Sequence, residues 1–169
     1  MVRTDTVATR QGPQSAFPRI LLVILAAAIV FRVVAAVIAP KSPADGVLGL
    51  VKWQPVENVA DAAQRQGKLL LYDFTAAWCA PCHLLDEEGW KDPRIAGIVS
   101  DRYAAARVVD REREDGKNTP LVAQLQQQYY VRAFPTLIAA DPEGHEVARM
   151  EGYRGRERLA QFLQSATQK

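Results

Sequence analysis

The stretch Asp73-Phe74-Thr75-Ala76-Ala77-Trp78-Cys79-Ala80-Pro81-Cys82-His83 holds both cysteines of the 169-residue chain, with two residues between them. A strand-type run from Lys68 to Ala76 leads into it. Pro81 suits the first turn of a helix, where its missing N–H costs nothing. That places Cys79 at a helix N-terminus, where the dipole and unpaired backbone N–H groups favour the thiolate that attacks disulfides. Cys79 is therefore expected to be an exposed nucleophile and Cys82, one turn deeper, the sulfur that resolves the mixed disulfide. A buried strand is an expensive place for a carboxylate, so Asp73 needs a reason; burial should raise its pKa.

Trp78-Cys79-Ala80-Pro81-Cys82 resembles the active-site motif of the thioredoxin superfamily. The likeness runs from about Trp53 to Gln164. Asp73 sits where that family keeps a buried carboxylate, and Phe134-Pro135-Thr136 resembles its cis-proline loop. Within the superfamily the sequence is most similar to the C-terminal periplasmic thioredoxin-like domain of thiol:disulfide interchange protein DsbD, whose second acid Asp86 would match. The resemblance implies that Asp73 takes the proton of Cys82. It also implies that Pro135 is cis and turns the backbone of Phe134 toward an extended substrate, and that no cofactor is needed. Trp78 is expected to shield the motif.

Asp86, one turn beyond Cys82, would disfavour a second anion and hold the thiol pKa values up, which favours reducing chemistry. A protonated His83 would act the other way. Other readings of the cysteines are a static staple, which so short a loop would make weak, and a c-type haem attached through Cys79-Ala80-Pro81-Cys82-His83 with His145 or Met150 as second axial ligand. Zinc is disfavoured because His83 is adjacent to Cys82, and no metal site is expected.

Outward from the motif, Val51 to Gln54 reads as a short edge strand, and Val56, Val59, Ala60 and Ala63 recur at helical spacing until Gly67. Leu69 to Phe74 is the central strand. The active-site helix should run from Pro81 to about Glu88, and Asp92-Pro93 opens a further short helix. Tyr103 to Asp110 is a strand, and Arg111 to Lys117 is a charged run expected to be a solvated loop. A helix opened by Pro120 carries an inward stripe of Leu121, Val122, Leu125 and Tyr129. Thr136 to Ala140 and Glu146 to Glu151 form a hairpin, and Arg156 to Gln164 a last helix. This order predicts an α/β thioredoxin-like fold, a mixed sheet sandwiched between helices.

The 21 basic and 19 acidic residues leave +2 overall, but four Arg and one Asp fall within residues 1–39, so the remainder is slightly acidic. Nucleic acid is not an expected partner. Residues 20–39 are apolar apart from Arg32, long enough for one transmembrane helix at about 1.5 Å per residue. Arg32 would cost about 2.5 to 3.5 kcal/mol near the helix centre, which the apolar residues can bear. Arg3, Arg10 and Arg19 precede this stretch, which puts residues 1–19 in the cytoplasm and sends the domain across the inner membrane into the periplasm. A cleaved signal peptide ending at Ala39 is the competing reading, disfavoured by Pro40. Residues 40–50 read as a linker and 51–169 as the thioredoxin-like domain.

The sequence thus predicts a membrane-tethered thiol:disulfide oxidoreductase, preferably a reductant of protein disulfides resupplied by a membrane electron donor. Alternatives are a reductant for cytochrome c maturation, a disulfide-forming oxidase and, in another class, a thioredoxin-fold binding or chaperone module.

Overall fold

In a computed structural model the described residues are 50–168 together with Ile24, Leu25, Ala27 and Ala28, which are helical. The expected cytoplasmic segment, the linker up to residue 49 and all but those four residues of the expected anchor lie outside them. Among the described residues no helix is long and apolar enough to cross a membrane. The chain divides into two units, Met1–Lys41 and Ser42–Lys169, and the second carries both cysteines.

The elements of this second unit run β1 (Trp53–Gln54), α1 (Val59–Gln66), β2 (Leu69–Ala76), α2 (Ala80–Leu84), α3 (Pro93–Arg102), β3 (Tyr103–Asp110), α4 (Glu112–Asp115), α5 (Pro120–Gln128), β4 (Thr136–Ala140), β5 (Glu146–Glu151) and α6 (Arg156–Ser165). The strands form one sheet in the order β1-β3-β2-β4-β5. β3 is parallel to both β1 and β2, whereas β4 is antiparallel to β2 and to β5. This is the mixed sheet the sequence predicts. The first strand is shorter than expected, because only Trp53 and Gln54 pair with β3.

The turn chemistry follows the sequence. Gly67 closes α1 in the left-handed region at φ 61°, a conformation open to glycine at little steric cost. Asp92 and Thr119 each accept backbone N–H bonds at the starts of α3 and α5, and proline follows each cap. The charged run differs from expectation: Glu112–Asp115 makes one helical turn, stopped by Gly116 at φ 74°. The Arg111–Asp115 ion pair spans that turn and steadies it.

Alternation along β2 sorts the core. Leu70, Tyr72 and Phe74 face α1 and α5, packing with Val59, Ala63, Leu125 and Tyr129. Leu71 faces the other way, with Leu85, Trp90, Ile95, Val99, Leu159 and Leu163. Asp73 has the parity of Leu71, so it lies on the face covered by the active-site helix.

Candidate active site

Cys79 ends the loop after β2 with extended backbone angles, φ −86° and ψ 99°, and caps α2. Its Sγ accepts the backbone N–H of Cys82 at 3.2 Å. This is the local arrangement in which unpaired helix N–H groups stabilise negative charge on sulfur. The two sulfurs are joined in a disulfide, with Cα atoms 5.3 Å apart. Cys79 is only 3% exposed and Cys82 only 2%. That corrects the expectation of an exposed Cys79. Ala76 and Phe134 pack against the pair.

Trp78 is 43% exposed, with its ring edge-on to Phe134 at 5.7 Å. On it lies the guanidinium of Arg113, 3.6 Å from the ring centroid. The charged run therefore reaches the rim of the site. A groove beside Trp78 is lined by Asp110, Arg113, Gln126, Arg132 and Phe134.

The Phe134–Pro135 peptide bond is cis, as the resemblance implies. The loop is pinned on both sides: Thr136 Oγ1 donates to the Ala133 carbonyl at 2.8 Å, and Gly152 N–H donates to the Pro135 carbonyl at 2.7 Å. Phe134 is half-buried against the cysteines and Pro135 is buried.

Beneath the helix sits a polar cage. Asp73 is fully buried, and its Oδ2 accepts the Trp90 indole N–H at 3.0 Å. Arg107, only 5% exposed, places Nε 3.2 Å from the same oxygen and Nη2 2.8 Å from Asp86 Oδ1. Asp73 and Arg107 are register partners on parallel strands, so the sheet itself holds the pair together. The Trp53 ring lies under the guanidinium at 5.5 Å and meets Trp90 edge-on at 5.2 Å. Burial pushes the Asp73 carboxyl up to about 6; Arg107 opposes that rise and Asp86 adds to it.

Asp86 and Trp90 owe their placement to the end of the active-site helix. After Leu84 the helix widens into a π turn over Leu85–Gly89, with Trp90 N–H reaching the Leu85 carbonyl at 3.0 Å. Gly89 permits this: a Cβ there would come within 2.7 Å of Leu85 Cδ1 and 2.8 Å of Leu159 Cδ2. Pro81 occupies the first helical turn, as expected.

The residues offered for haem are engaged otherwise. His83 Nε2 bonds the Ala77 carbonyl at 2.8 Å, and His145 pairs with Asp141 at the hairpin turn. Met150 packs against the core from β5, opposite Leu137.

Sequence reasoning missed Arg107, Trp90 and Arg113. A charged residue inside the otherwise apolar strand Tyr103–Asp110 was the available signal for Arg107, since an arginine is buried only with partners. Neither Trp90 nor Arg113 carries such a signal, because each depends on a turn whose geometry the local sequence does not declare.

Comparison with known proteins agrees with this arrangement. Residues 56–167 match the family described as a thioredoxin-like domain. Thiol:disulfide interchange protein DsbD of Photorhabdus laumondii is 27% identical over 114 residues, covering 66% of this chain and 18% of that protein. The chain thus corresponds to less than a fifth of that relative. Among solved structures, a DsbH oxidoreductase superposes with a TM-score of 0.61 at 20% identity, covering 70% of this chain and 85% of the other. The oxidised C-terminal domain of DsbD from Neisseria meningitidis gives 0.52 at 18% identity, covering 63% and 88%. At those identities the structures support the fold. With the family match spanning most of the chain and a paired Cys79-Ala80-Pro81-Cys82 at the head of its helix, this chain belongs to the thioredoxin-like domain family.

Proposed function

We propose that the protein is a membrane-tethered, extracytoplasmic reductant of disulfides in other proteins, with Cys79 as nucleophile, Cys82 as resolving thiol and Asp73 as proton acceptor. The observation that carries this reading is a helix-capping cysteine pair whose helix continues to Trp90, which bonds the fully buried Asp73 carboxylate. In the reduced protein the Cys79 thiolate attacks a client disulfide, forming a mixed disulfide and releasing one client thiolate. Cys82 then gives its proton to Asp73 and attacks the Cys79 sulfur, which expels the second client thiolate. The client gains two electrons and the protein is left as the Cys79–Cys82 disulfide. A membrane dithiol carrier would return the electrons.

The membrane-tethered reading draws its support from the apolar stretch 20–39 and the arginines before it. The reducing direction draws on Asp86, an acid one turn beyond Cys82 on the same helix, which would oppose a second anion there. Phe134 and Pro135 would form the edge on which an extended client segment lies.

Two measurements on the full-length protein test the reading. Reduction of insulin by the dithiol form is expected, and Cys82→Ser is expected to trap client proteins as mixed disulfides on non-reducing gels. A wild-type chain inert toward insulin together with an empty Cys82→Ser trap would sink it. The potential of the pair decides direction: a value below the glutathione couple fits a reductant, and one near about −120 mV fits an oxidase.

A further inference from the structure

Residues 40–169 are slightly acidic as a whole, yet a groove of about 420 Å³ between β5 and α6 is rimmed by the cations Arg154 and Arg158. Both are exposed, and among the described residues neither makes a hydrogen bond or an ion pair. Their neighbours are already engaged. Arg149 holds Glu146 and Glu151, Arg156 lies 3.7 Å from Asp92, and Arg94 takes Glu157. Glu151, the acid that lines the groove, therefore leaves the two guanidiniums unanswered. Arg158, Gln161 and Ser165 recur at helical spacing along α6, so one stripe of that helix forms the wall.

The opposite wall is a strand edge. β5 ends the sheet order β1-β3-β2-β4-β5, so among the described residues its outer side has no neighbouring strand. Its pairing with β4 is irregular at Ala139/Ala140, where Val147 is skipped and Ala140 opposes Glu146. A bulge of that kind limits where another strand can add. From Ala148 to Glu151 the register is unbroken, and those residues line the groove. Ala148 and Met150 pack against the core that includes Phe162, which gives the groove an apolar floor.

An open strand edge, an apolar floor and two unpaired guanidiniums suit an extended chain that carries carboxylates along one side. We propose that this groove docks an extended acidic segment of a partner protein, which adds to β5 along Ala148–Glu151 and places its carboxylates on Arg154 and Arg158. A second copy of this chain fits poorly, because a twofold contact here brings the same two arginines from both sides into one interface. β5 is two strands away from β2, which leads into the cysteine motif. A partner held at β5 leaves the cysteines free, and its tethering raises its effective concentration for exchange.

A fluorescein-labelled peptide of alternating valine and glutamate, with a valine–glutamine peptide as control, is titrated into the full-length protein in detergent. Anisotropy gives the affinity and amide NMR gives the place. Binding of the glutamate peptide, amide shifts at Ala148–Glu151 and a weakening of about tenfold in Arg154→Gln/Arg158→Gln are expected. No binding of that peptide, equal binding of the control, an unchanged affinity in the double variant, or shifts centred on Trp78 and Phe134 would each overturn the proposal. So would capture of phosphatidylglycerol vesicles through the same arginines without binding of the peptide, which would make the groove a membrane contact. Both substituted side chains are exposed, and circular dichroism checks that the variant folds; if it does not, Arg158→Gln alone decides, with a loss of about threefold expected. Insulin reduction by the double variant is expected to match wild type, so docking and thiol exchange fail separately.

Discussion

The underside and the rim of the cysteine pair are built on opposite terms. Below, Asp73, Arg107 and Trp90 are buried and held by two adjacent strands and the end of a helix, joined through Asp73 Oδ2. At the rim, Trp78, Arg113 and Phe134 come from three separate loops and turns, and their contacts are a ring edge and a stacked guanidinium. A buried charge left without its partner costs several kcal/mol, whereas an exposed cation–π contact contributes about 0.5–1 kcal/mol. The first arrangement suits a step that must be the same for every client. The second suits contact with surfaces that differ.

Four perturbations break or sharpen that contrast. The largest is Cys79→Ser, expected to abolish insulin reduction outright while leaving the fold intact, checked by turnover and circular dichroism. Next comes stability against pH. The folded state raises the Asp73 carboxyl from its ordinary 3.8 to about 6, so its contribution is fully present below 3.8 and is lost as pH rises through 6. The loss amounts to roughly 3 kcal/mol. Urea unfolding at pH 4 and pH 7 should show this decline in wild type, and Asp73→Asn should remove it.

Third, the same substitution should slow resolution of the mixed disulfide on the order of 100-fold at neutral pH. It should also erase the inflection near pH 6, which rapid quenching with an alkylating reagent would follow. The smallest effect is expected at the rim. Arg113→Ala should change KM for a protein client by about two- to fivefold with kcat unaltered, and stability by under about 1 kcal/mol. A loss of kcat there instead would mean that the rim and the underside are coupled.

What the sequence disclosed follows the same division. The Cys79–Cys82 pair, Asp73 and the proline loop are legible because each breaks a local rule: two thiols at fixed spacing, an acid in an apolar strand, a proline opening another. The order of strands and helices was legible from period and punctuation, down to the prolines that open α3 and α5. Arg107 broke the same rule as Asp73 and could have been paired with it, since a buried acid and a buried base on neighbouring strands ask for each other. The burial of Cys79 was not legible. It depends on Phe134, far along the chain, folding back over the sulfur. Nor was the stacking of Arg113 on Trp78, because a charged run reads as solvated until one turn of helix points a single member of it sideways.

The widened turn at Leu85–Gly89 has a consequence for how this chain tolerates length changes. A regular helix advances about 100° per residue, so trimming one position between Leu85 and Trp90 would swing the indole off Asp73 by about that angle, even with every named side chain retained. Two chains could therefore share both sulfurs and both acids and still differ in proton handling, through nothing more than a single-residue gap in the turns that follow the motif.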